Sequence, residues 1–188
     1  MEHRECRNGQ GFTLIETMIA LVLAALLLGL AVPAWSNALE AVHAGAARAA
    51  MQETLFQAMR HAALAGTDIV VCPGRDACVD TWDWSQGWLS WPDYDGDRRR
   101  DADEAVLRRE EALPGHVHLR STTGRRRLVL RPHGGAASGT NVTFTLCDGR
   151  GAARAIALAL ANSGRLREVR PVASAVADCL DPFPPPPS

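Results

Sequence analysis

Two arginines two residues apart, Arg165 and Arg167, follow the turn Asn162-Ser163-Gly164. On a β-strand, residues i and i+2 leave the same face about 6.6 Å apart, with Leu166 turned the other way. Guanidinium forks match phosphate oxygens in a bidentate manner that lysine cannot reproduce. Arg150, Arg154 and Arg170 lie in the same stretch, and from His116 to Arg170 ten arginines face only Asp148 and Glu168. The preceding stretch, Asp68 to Gly115, is the reverse, with 12 acids against 6 arginines. A net charge of −1 therefore conceals a basic C-terminal half, the expected footprint of a polyanion-binding surface. The competing reading is a solvated strand with scattered charge.

Other residues with chemical potential carry less. Asp93, Asp95, Asp97 and Glu104 stand at positions 1, 3, 5 and 12 of an EF-hand-like loop. Position 6, which needs the sharp turn of glycine, is Arg98, and Arg98-Arg99-Arg100 are expected to neutralise the acids. The stretch reads as a solvated turn with internal ion pairs, and no metal is assigned. His116 and His118 share a strand face but lack a third ligand. Trp82, Trp84, Trp88 and Trp91 suit either base stacking or packing; Trp88 is assigned to packing and the others are left open. The chain has no nucleophile elbow, phosphate loop or zinc helix, so no enzyme and no cofactor is expected.

These residues need a scaffold, and its organising element is at the other end of the chain. Gly11-Phe12-Thr13-Leu14-Ile15-Glu16 precedes 19 uncharged residues, Thr17 to Trp35. As a helix this run is roughly 28 Å long, close to the ~30 Å hydrocarbon core of a bilayer. Glu16 inside its N-terminal end costs about 3 kcal/mol in lipid and so calls for a partner. Pro33 is expected to kink the helix. From Ala38 the pattern turns amphipathic, with Met51, Leu55, Ala58, Met59 and Ala62 in one stripe, and Gly66 ends it. Short strands follow at Ile69–Val71, Trp88–Trp91, Ala105–Arg108, Val117–Arg120, Leu128–Arg131, Val142–Leu146 and Ala155–Leu160, then a hairpin over 153–170. The tail from Asp181 is proline-rich and unsuited to a sheet. Of five cysteines, Cys6 precedes the apolar run. Cys72, Cys78, Cys147 and Cys179 allow three disulfide connectivities, of which Cys72–Cys78 with Cys147–Cys179 is the simplest. A zinc site fits poorly, because the C-x5-C spacing has no second close Cys/His pair.

The Gly-Phe-Thr-Leu-Ile-Glu signature with its apolar run resembles the prepilin motif of type IV pilins and type II secretion pseudopilins. Ala47-Arg48, Val71-Cys72-Pro73, Gly87-Trp88-Leu89, Asp93 to Asp97, Glu104 to Arg108 and Ser163 to Arg167 occur in the order seen in the FimT/GspH family. Ser90-Trp91-Pro92 departs from that pattern. The resemblance implies an α+β pilin-like fold, a long kinked helix packed on an antiparallel β domain. It divides the chain into a leader, 1–11, a membrane or filament-core half-helix, 12–37, an amphipathic half, 38–66, a periplasmic β domain, 67–180, and the tail, 181–188. It further implies prepilin peptidase cleavage after Gly11, methylation of Phe12, and pairing of Glu16 with a neighbouring subunit's terminal amine. Inner-membrane insertion, other pilin subunits as partners and incorporation into a pilus follow from it. FimT-like minor pilins carry a Gly-Arg-x-Arg element that contacts DNA in natural transformation, which maps here to Gly164, Arg165 and Arg167. The alternatives are a structural pseudopilin of type II secretion and a priming pilin without a ligand.

Overall fold

The computed structural model describes residues 13–122, 124–134, 137 and 141–181. Gly11, Phe12 and all but the first residue of the 181–188 tail lie outside them. The main helix, α1, runs Leu14–Ala65. Thr13 caps it: its hydroxyl accepts the Glu16 N–H at 3.3 Å, and Thr13-x-x-Glu16 has the residue types and spacing of a capping box. At the other end Gly66 takes φ 69° and donates its N–H to the Ala62 carbonyl, a conformation that favours glycine.

The described residues form two compact units, which divide between Ala38 and Leu39. In the first, the α1 residues are exposed and strongly apolar, with a mean hydropathy of 2.5 in the richest window, long and apolar enough to cross a membrane. Pro33 lies inside this stretch.

In the second unit, the amphipathic end of α1 packs on two antiparallel four-stranded sheets. The strands are β1 (Asp68–Pro73), β2 (Trp88–Asp93), β3 (Arg108–Glu110), β4 (His118–Ser121), β5 (Leu128–Leu130), β6 (Val142–Cys147), β7 (Ile156–Leu160) and β8 (Leu166–Val169). One sheet has the order β3-β2-β1-β5 and the other β4-β6-β7-β8. Alternation along each strand decides which side chains meet the helix. Ile69, Val71, Trp88, Leu128 and Leu130 from the first sheet join Leu119, Phe144, Leu146, Leu158 and Leu160 from the second. Ala44, Ala47, Met51, Leu55, Ala58 and Ala62 close this core from α1, and Met59 packs at its margin. Each large side chain so buried contributes about 1.5–3 kcal/mol. Trp84 is also within it, edge-on to Phe144 at 5.1 Å.

The opposite face of the first sheet has its own small core of Val70, Cys72, Leu89, Trp91, Val129 and Ala137. This corrects one expected strand. Ala105 to Leu107 do not form a strand: Val106 covers this second core, and strand pairing begins only at Arg108. Disulfides join Cys72 to Cys78 and Cys147 to Cys179. The second ties down an element with no counterpart in the sequence pattern, the short helix α2 (Ala173–Leu180), against the outer face of the second sheet. Arg120 holds the same helix, donating to the carbonyls of Asp178 and, at 2.7 Å, Asp181.

Candidate nucleic-acid interface

In the second sheet, Phe144, Leu158 and Leu166 turn toward α1, so Thr143, Ala159 and Arg167 face outward. The register places these three side by side, Thr143 opposite Ala159 and Ala159 opposite Arg167. Thr122 extends the row, exchanging hydrogen bonds with Thr143 through its main chain and hydroxyl. The row is a floor of small side chains under a cavity of about 470 Å³, bordered by Arg125, Asn141, Asn162 and Arg167. An adjoining cavity of about 400 Å³ shares Thr122 and Thr143 and continues past Trp82 to Arg170. Together they form a groove with arginine along its edges.

Arg165 follows the turn at Gly164 (φ 78°), whose N–H bonds the Ala161 carbonyl, and its own carbonyl accepts the Ala161 N–H. Arg165 and Arg167 are both exposed, and among the described residues neither has a carboxylate partner. Glu168, the nearest acid in sequence, points to the helix side and pairs with Arg48 at 2.9 Å. Its charge is therefore spent on the helix side, and the acid that lines the outer groove is Asp178, at the Arg170 end. Arg125 does not stand out in the sequence. It donates to the Asn141 carbonyl and side-chain oxygen, which fixes its guanidinium at the groove edge. The only linear signal for it is its place in Arg125-Arg126-Arg127 within the basic half.

The other predicted arginines divide. Arg170 lines the groove. Arg154 is exposed on a 3-10 turn (Ala152–Arg154) and lines neither cavity. Arg150 lines neither cavity and is paired with an acid. Its Nε and Nη2 bond both oxygens of buried Asp148 at 2.7–3.2 Å. Burial pushes the Asp148 carboxyl up, but the Arg150 hydrogen bonds and the charges of Arg150 and Arg154 outweigh it, so the net shift is down. The same bonds raise the Arg150 guanidinium above its ordinary range.

The chain belongs to the GspH family. The model for type II transport protein GspH matches residues 47–164. A second model, the prokaryotic N-terminal methylation motif, matches residues 6–32. Among solved structures, the type IV minor pilin FimU of Pseudomonas aeruginosa PAO1 is similar in two crystal forms, each with a TM-score of 0.53 and 18% identity. The matches cover 66% of this chain and 91% of FimU in one form, and 68% and 86% in the other. That identity bears on fold alone, and it shows the α+β arrangement of long helix and antiparallel sheets. No curated protein sequence matches the chain.

The remaining candidates of this GspH-family chain are placed as follows. Trp84, Trp88 and Trp91 are fully buried, which rules them out as a stacking platform. Trp82 is half-buried, with the Arg126 guanidinium 5.6 Å above its ring. His116 precedes β4 and bonds Glu40 at 2.9 Å, which holds the Glu40 carboxyl below its ordinary range. The acidic turn lacks the internal ion pairs expected of it. Among the described residues, none of Arg98, Arg99 and Arg100 forms one; the arginines that do are Arg48, Arg75, Arg108, Arg109, Arg126 and Arg150.

Proposed function

We propose that the chain is a minor pilin of a type IV pilus that binds DNA without sequence preference for uptake in natural transformation. The observation that carries this is the exposed pair Arg165 and Arg167, without carboxylate partners among the described residues, with Arg167 at the edge of a groove floored by Thr143 and Ala159. Arg125 and Arg170 extend the positive edge, so a phosphate backbone could be followed along it. Arg154 is an outlying contact. In this reading, prepilin peptidase cleaves after Gly11 and methylates Phe12. The helix then sits in the inner membrane with the domain from Leu39 in the periplasm, until assembly pairs Glu16 with a neighbouring subunit's amine.

The test is fluorescence anisotropy of labelled oligonucleotides with the fragment Leu39–Ser188, which holds the whole core, titrated over a range of salt. Each phosphate contact adds about 0.7–0.9 to the log–log salt slope. The double change Arg165→Gln and Arg167→Gln is expected to flatten the slope by nearly two contacts' worth and to weaken all sequences alike. Exposed arginines affect stability by about 0.5 kcal/mol or less, so folding is unaffected. No binding at low salt, or equal binding by the double variant, overturns the DNA role. The second reading, a structural pseudopilin of type II secretion, is favoured by the description of the matched family, type II transport protein GspH. It predicts no DNA affinity and co-isolation with a secretion filament.

A further inference from the structure

The stretch from Asp93 to Glu104 carries six acids and three arginines. Its placement differs from a merely solvated turn. One carboxylate oxygen from each of Asp93, Asp95 and Asp97 lies within 4.8 Å of the other two. The Oδ1 atoms are occupied by the loop itself. Asp93 Oδ1 accepts the N–H groups of Gly96 and Arg98, Asp95 Oδ1 that of Asp97, and Asp97 Oδ1 that of Arg99. Asp93 is 3% exposed, yet its Oδ2 is buried with no partner among the described residues. A buried carboxylate oxygen without a hydrogen bond is costly unless something positive meets it.

The arginines do not meet it. Arg100 donates to the Glu104 carbonyl, and Arg98 lines a separate cavity with Asp80, Arg126 and Arg127. Glu104 does not meet it either: it is 2% exposed and both its oxygens accept main-chain N–H groups, of Tyr94 and Asp101, which latches the loop shut. Arg98 occupies the position where such loops require glycine, which on residue type alone weighs against a cation site. In the structure Arg98 adopts φ 62°. The turn that glycine would supply is made regardless.

We infer that Asp93, Asp95 and Asp97 form a binding site for a hard divalent cation, calcium in particular. One oxygen from each of these three carboxylates supplies part of the 6–8 oxygen ligands calcium takes, with main-chain carbonyls and water completing the shell. Magnesium demands a tighter octahedron and is held less well by an open loop of this kind. Glu104 acts as a positioning residue that closes the loop around the three.

The experiment uses the full-length chain in nonionic detergent and metal-free buffer, titrated with terbium chloride. Tyr94, exposed at the second loop position, is the sensitiser of terbium emission, and calcium chloride is then added as competitor. The expected result is a saturable signal that calcium displaces, with calcium affinity in the range of extracellular modules, about 10⁻⁴–10⁻³ M. Asp95 and Asp97 are exposed, so Asp95→Asn with Asp97→Asn leaves the metal-free fold intact. It is expected to weaken binding at least about 30-fold, since affinity follows ligand charge and number. The charge-matched control, Asp101→Asn with Asp103→Asn, is expected to lose less than about fivefold, the size of a screened long-range effect. A signal that does not saturate, one that calcium fails to displace, or equal losses in the two double variants overturns the site.

Discussion

The link between α1 and the first sheet makes a sharp prediction at Thr54. Its hydroxyl accepts the Trp88 Nε1–H at 2.9 Å and donates to the Ala50 carbonyl at 2.8 Å, and both Thr54 and Trp88 are fully buried. Thr54→Val keeps shape and β-branching but removes the acceptor, so no cavity opens and the indole donor is orphaned inside the core. An unmade buried hydrogen bond costs about 1–3 kcal/mol. Loss of the bond back to Ala50 offsets a little of this, because such i−4 bonds slightly destabilise helices. The expected net cost is about 1–2 kcal/mol, at roughly 2–4 °C in Tm per kcal/mol for a domain of this size. Urea unfolding of Leu39–Ser188 with both disulfides intact, read by tryptophan fluorescence, measures it. Thr54→Ser is a poor discriminator alone, since a lost buried methyl costs about 1 kcal/mol too. The decisive measurement is a double-mutant cycle with Trp88→Phe. In the Phe background the Thr54→Val penalty should vanish and the Thr54→Ser penalty persist. An undiminished Thr54→Val penalty there would refute the hydrogen bond as the cause.

Three further expectations concern stability and assembly. The depressed Asp148 carboxyl contributes stability above the ordinary aspartate range and loses it as pH falls through the lower folded-state value. Asp148→Asn should therefore cost about 1–3 kcal/mol at neutral pH and flatten the loss of stability below about pH 4; acid titration of the unfolding midpoint checks both. The Cys147–Cys179 bridge spans 32 residues and Cys72–Cys78 spans 6. Loop-closure entropy gives about 3.7 against 2.2 kcal/mol, so the serine pair at 147 and 179 should lower the urea midpoint more. Glu16→Ala should leave membrane insertion intact, because the carboxylate is unfavourable in lipid, while reducing the subunit's recovery in sheared filaments. Wild-type recovery would contradict the assembly role.

What the sequence makes legible follows from where its information is local. Apolar period, the cap at Thr13 and the stop at Gly66 are each written within a few residues, so α1 can be read almost to its ends. The strands bounded by glycine, proline or asparagine are equally local. Ala105-Val106-Leu107 misleads because an apolar run reports burial, not pairing: Val106 is partly buried, but as loop cover over a second core. Helix α2 escapes because it has only eight residues and no side-chain cap, its Ncap being Val172. A segment so short is not stable alone. Cys179 and the Arg120 donors hold it in place, and their partners are tens of residues away.

The groove is legible in half. Same-face spacing puts Arg165 and Arg167 together, a consequence of strand geometry that needs no partner. Which arginines join them depends on register, and register brings Arg125 from the far side of the sheet while Asp148 takes Arg150 out of reach. Composition counts both as equal members of one basic half. The acidic turn shows the same limit in a different quantity. Its ligand spacing is plain in the chain, and what speaks against a cation there is residue type, with arginine standing for glycine at one position and two more arginines beside it. Residue type is a prior on φ, and tertiary context overrides it: Asp93 Oδ1 and the Glu104 latch hold the loop on either side of Arg98. In both cases the deciding fact is which oxygen or guanidinium is already spoken for. That is a property of the folded neighbourhood, and it separates the arginines and carboxylates still free to bind from those that only look free in the chain.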